Sequence, residues 1–89
     1  MTRIEVVPQE LRVFCSRLHD LRADIQQHRL ELQRETADIA AFWSDKHYEK
    51  FRSEQEEFWI LIQIFEKRCD LICEYLSDKA TRGEAYLNL

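Results

Sequence analysis

Leu11-Arg-Val-Phe14-Cys-Ser-Arg-Leu18-His-Asp-Leu21-Arg-Ala-Asp-Ile25 is the stretch that decides the fold. Its large apolar residues return in alternating steps of three and four. That spacing lines them up along one side of a helix that packs on a neighbour. The pattern runs on to Phe42. Leu11, Leu18, Ile25, Leu32 and Ile39 hold one seam position, and Phe14, Leu21, His28, Glu35 and Phe42 hold the other. The flanking residues Glu10, Arg17, Asp24, Glu31 and Asp38 are all charged. Upstream, Thr2, Ile4, Val6 and Val7 are β-branched and Val7 precedes Pro8, so residues 1–7 read as extended. Pro8 fits the first turn of the helix, where its missing N–H costs nothing, and Glu10 favours the positive end of the helix dipole.

Downstream the pattern breaks at Trp43-Ser44-Asp45. Ser44 or Asp45 can cap a second helix by accepting a backbone N–H. In that helix Tyr48, Gln55, Ile62, Cys69 and Leu76 form one seam position, and Phe51, Phe58, Phe65 and Ile72 the other. Each helix is roughly 50 Å long at 1.5 Å per residue. Equal lengths and a short connection predict an antiparallel two-helix hairpin. The expected boundaries are helix 9–42, turn 43–45, helix 46–78 and a loose tail 79–89, in a single domain. One Gly and one Pro in 89 residues exclude most all-β folds, which need turn residues every ten or so positions.

The second helix carries more apolar surface than a hairpin needs. Ile60, Leu61, Ile64, Leu71 and Tyr75 lie off the expected seam, with Trp59 on its shoulder. A helix that is apolar nearly all round must be covered on more than one side. Each large side chain left bare forgoes roughly 1.5–3 kcal/mol of burial. The expectation is an all-α hairpin that dimerises into a four-helix bundle, as a homodimer or with a sister hairpin. The octet Phe58-Trp-Ile-Leu-Ile-Gln-Ile-Phe65 also has the composition of a buried strand, but no turn residues flank it.

Charged residues make up 34% of the chain and the net charge is −4. Acidic and basic residues interleave, as on a solvated helical surface, and no basic footprint for nucleic acid stands out. No apolar run approaches the ~20 residues of a membrane span. The N-terminus shows no cleavable signal peptide. The expected location is cytoplasmic, secreted without a cleaved signal, or both.

Length, the opening Ile4-Glu-Val-Val-Pro-Gln-Glu-Leu11, and the turn Phe42-Trp43-Ser44-Asp45 followed by Tyr48 and Phe51 together resemble the WXG family of early-secreted-antigen-like proteins. The likeness spans residues 4–78. It implies a helical hairpin that dimerises into a four-helix bundle. It also implies a substrate or escort partner of a type VII-like secretion system. By the same resemblance Trp43, Ser44 and Asp45 would meet the secretion machinery. The chain departs from the family in two places. Asp45 replaces the glycine of the turn. The Tyr-x-x-x-Asp/Glu tail signal is absent, since Tyr75 is followed at the fourth position by Lys79; in the family that signal can sit on the partner. Trp43 also has a plainer role open to it, as an indole that caps the end of the core.

The expected partner-binding residues are Trp43, Ser44, Asp45, Trp59, Ile60, Leu61, Ile64, Leu71 and Tyr75. A rival reading makes the chain a cytoplasmic adaptor or chaperone that holds a client on the apolar face of helix two.

Antiparallel pairing about residue 44 sets Cys15 opposite Cys73 and His19 opposite Cys69. Free thiols, a Cys15–Cys73 disulfide and a zinc site are the open alternatives, with buried free cysteine the commonest outcome. His28 and Glu35 in the seam would set register, or make a pH-sensitive spot. Glu35 and Arg52 are expected to form an ion pair. No catalytic residue and no cofactor is expected: the chain has no nucleophile elbow, no glycine-rich phosphate loop and no carboxylate pair in a distinct environment.

Overall fold

A computed structural model describes residues 7–43 and 45–87 of the chain. It contains two helices, α1 (Pro8–Ala40) and α2 (Lys46–Leu87). They pack on one another and run antiparallel: Cys15 meets Cys73, Arg22 meets Asp70, and Arg29 meets Glu66. The expected extension of residues 1–6 lies outside the described residues.

Pro8 starts α1 in its first turn after an extended Val7 at φ −103°, ψ 94°. Glu10 occupies that first turn, where its charge suits the helix dipole. At the far end the helix tightens rather than breaks. Ala41 N–H donates to Asp38 O at 3.1 Å, and Phe42 and Trp43 both donate to Ile39 O. Asp45 then caps α2: its Oδ1 accepts the backbone N–H of His47 at 2.8 Å. No described residue has a positive φ.

The expected end of α2 at Asp78 is corrected. The helix continues to Leu87, so the segment read as a loose tail is mostly helical. Small residues allow it. Ala80 is fully buried and Gly83 half-buried, so α2 lies close against the start of α1. Arg12 reaches across to Thr81 and Glu84 at 3.1 and 2.5 Å.

The phase of the seam is corrected too. Leu11, Leu18, Ile25 and Ile39 are half-buried, as their seam position requires. The second position is not the expected one. Phe14, Leu21, His28, Glu35 and Phe42 are exposed, and Cys15, Arg22 and Arg29, each one residue later, are covered instead. α2 repeats the shift: Phe58, Phe65 and Ile72 are exposed, while Trp59, Glu66 and Cys73 are covered. The heptad period is right, but contact runs along one shoulder of the apolar stripe. Small side chains and a clasped ion pair allow close approach there, and the bulk of the stripe turns outward.

The result is one layer thick. The extents are 67 × 22 × 13 Å, and the short one is about a single helix diameter. Among the described residues the buried apolar side chains are Pro8, Cys69 and Ala80.

Candidate functional site

Successive residues of a helix step round its axis by about 100°. The covered residues fix which side of each helix faces the other, and the remaining residues then sort onto two flanks. On one flank the cross-helix polar contacts gather: Arg12–Glu84, Arg22–Asp70 and, at the seam edge, Arg29–Glu66. The opposite flank is apolar. α1 gives it Phe14, Leu21 and Leu32; α2 gives it Phe58, Leu61, Phe65, Ile72 and Tyr75. All of these are between 44% and 65% exposed, so an apolar band spans both helices uncovered.

Most of the expected partner-binding residues join or extend this band. Leu61 and Tyr75 lie within it. Ile64 follows at its edge, and Ile60 and Leu71 continue round to the back of α2, all exposed. Trp59 sits half-buried at the seam, where it stacks edge-on against Phe58 with centroids 5.0 Å apart. Sequence reasoning missed Phe14, Leu21, Leu32, Phe58, Phe65 and Ile72 as surface residues because it had assigned them to the seam.

His28 and Glu35 are corrected with them. They are exposed on the apolar flank, not buried in the seam. His28 Nδ1 lies 3.7 Å from Glu31 of its own helix. The expected Glu35–Arg52 pair is absent, and Arg52 pairs along its own helix with Glu49 and Glu56 at 3.4 and 2.9 Å.

The seam carries its own electrostatics. Arg29 Nε and Nη2 donate to the two carboxylate oxygens of Glu66 at 2.7 and 3.1 Å, with side-chain exposures of only 10% and 5%. The hydrogen bond to Glu66 raises the Arg29 pKa further above its ordinary value. Arg22 binds Asp70 with the same fork at 3.1 and 3.2 Å and also donates to Gln26.

At the turn, Trp43 is half-buried. Its ring packs at 5.2 Å from Phe51 and 5.8 Å from Tyr48, and its Nε1 donates to Asp45 Oδ1 at 2.8 Å. The indole is therefore largely engaged in closing the end of the hairpin, and Asp45 joins cap to indole. Phe42, 78% exposed, is the bare aromatic there. Ser44 lies outside the described residues.

Cys15, Cys69 and Cys73 are free thiols. His19 is exposed on the polar flank, away from the seam where they lie. Among the described residues no group of three His, Cys, Asp or Glu side chains is placed to hold a metal ion. No helix among them is long and apolar enough to cross a membrane.

Comparison of the chain with protein-family models finds no match. Comparison with curated proteins finds no matching relative.

Proposed function

We propose that this protein works by binding another helical hairpin through its apolar flank, as a WXG-like substrate or escort of a type VII-like secretion system. The observation that carries the reading is the band Phe14–Leu21–Leu32 and Phe58–Leu61–Phe65–Ile72–Tyr75, shared by both helices and uncovered. Accessible area points the same way. The chain exposes 7503 Å², whereas a compact monomer of 10.8 kDa exposes about 5,500 Å². The excess is of the order that a stable dimer buries.

The division of labour within the hairpin supports a bundle. In a four-helix bundle the large apolar positions point to the common axis, and contacts between neighbouring helices run along their shoulders. A hairpin lifted out of such a bundle has a seam of mixed character and a bare apolar face. The charges beside the face favour a second copy of this chain as the partner. Along the α1 edge run Glu10, Asp24, Glu31, Glu35 and Asp38, acidic apart from Arg17. Along the α2 edge run Lys46, Lys50, Arg68, Lys79 and Arg82, basic apart from Glu54 and Glu57. With the two-fold axis along the bundle, α1 of one copy lies beside α2 of the other and acidic edge meets basic edge.

The test is co-expression with a type VII-like system of the wild type and a Leu61→Lys/Phe65→Lys variant. Export of the wild type and retention of the variant, whose helicity is unchanged, is the expected result. No export of either chain, with the wild type held by cytoplasmic partners, would favour the adaptor reading.

A further inference from the structure

We propose that Cys15 and Cys73 form a site for a reversible disulfide that staples the end of the hairpin away from the turn. The inference stands on the hairpin alone and does not depend on the proposed secretion role. Each thiol already points across the seam to the other residue. Cys15 Sγ donates to Cys73 O at 3.5 Å, and Cys73 Sγ donates to Cys15 O at 3.4 Å. With each sulfur against the other backbone, turning the two side chains brings sulfur to sulfur. Ser77 Oγ, one turn further along α2, lies 4.0 Å from Cys15 Sγ and donates to it. Both cysteines are half-buried, so a small oxidant can reach them. Cys69 is buried on the same face of α2, and linking it to Cys73 would distort the helical turn between them.

Beyond Cys73 the seam of α2 is carried by half-buried Leu76 and Ser77, by the small residues Ala80 and Gly83, and by the exposed Arg12–Glu84 pair, which adds little net electrostatic stability. A covalent link there holds the ends of both helices together and leaves the apolar flank untouched.

The oxidant is a low-molecular-weight disulfide, RSSR. One cysteine thiolate attacks a sulfur of RSSR, the S–S bond breaks, and RS⁻ leaves and takes up a proton. The second cysteine, as thiolate, attacks the protein sulfur of this mixed disulfide and expels the second RS⁻. Two protein thiols lose two electrons and two protons, and RSSR becomes two RSH. Excess RSH runs the sequence backwards. Burial and the neighbouring Cys15 raise the Cys73 pKa, so formation speeds up with alkaline pH.

The test uses the full chain, reduced, freed of reductant, and incubated with oxidised glutathione in buffer and in guanidinium. The link is mapped by mass spectrometry. In buffer the expected product has lost two hydrogens and joins Cys15 to Cys73. In guanidinium Cys69–Cys73 dominates, because close neighbours in sequence meet most often. Cys69→Ser keeps the native link and Cys73→Ser loses it. The linked chain melts about 10 °C or more higher, and reductant reverses the gain. Native oxidation that yields Cys69–Cys73, links between chains, leaves all three thiols free while the unfolded chain oxidises, or brings no rise in melting temperature would overturn the proposal.

Discussion

Arg29 and Glu66 clasp one another across the seam through two hydrogen bonds, 2.7 and 3.1 Å long, with both side chains almost shut off from water. A pair so placed fixes how the helices slide past each other, because either charge left alone would be buried without its counter-ion. It takes the place that a leucine pair would fill in an ordinary coiled-coil seam. Its net contribution is small next to the penalty for breaking it, since desolvation offsets much of the attraction.

Glu66→Ala is therefore expected to destabilise the hairpin by about 3–5 kcal/mol, enough to unfold a domain of this size. The double change Arg29→Met/Glu66→Leu restores stability to near the wild-type level. Urea denaturation followed by circular dichroism distinguishes the two. By contrast Arg12→Ala, which breaks an exposed pair, costs less than about 1 kcal/mol.

Asp45 both caps α2 and accepts the Trp43 indole N–H. Asp45→Ala is expected to cost about 0.5–2 kcal/mol and to shift Trp43 emission to the red as the ring loosens from Tyr48 and Phe51. Asp45→Asn, which keeps an acceptor oxygen, loses only part of either. The second tryptophan is silenced for the fluorescence readout by Trp59→Phe in all three chains.

The Cys73 thiol is held above the ordinary value of 9.0, chiefly by burial and then by the neighbouring Cys15. The fold thus favours the protonated thiol. Its contribution is fully present below the unfolded-state value and is lost as pH rises through the folded one. Reduced wild-type protein is expected to lose melting temperature more steeply above pH 9.0 than Cys73→Ser does. Thermal scans across the alkaline range, in reductant, check this.

The helical hairpin was legible in the sequence because Leu11, Leu18 and Ile25 in α1, and Gln55, Ile62 and Cys69 in α2, each keep a seven-residue phase and because Asp45 stands where a cap is needed. The side of the stripe that forms the seam was not. Phe14 and Cys15 are neighbours in sequence but about 100° apart on the helix, and size alone assigns the seam to Phe14. The structure assigns it to Cys15, because Cys15 lets the backbones close up and because Arg29 one residue after His28 finds Glu66. That preference depends on residues more than thirty positions apart, which periodicity along one helix does not register. The continuation to Leu87 was hidden for a related reason. Ala80 and Gly83 pack by being small, and a search for large apolar residues passes over them.

The apolar flank tests most directly in solution. The measurement is the mass of the purified full-length chain in reductant, by light scattering after gel filtration, across a range of concentrations. The account predicts a particle of two chains, and a single chain for Leu61→Lys/Phe65→Lys with its helicity kept. A wild-type chain that stays a well-folded monomer at every concentration and binds no hydrophobic dye would contradict it.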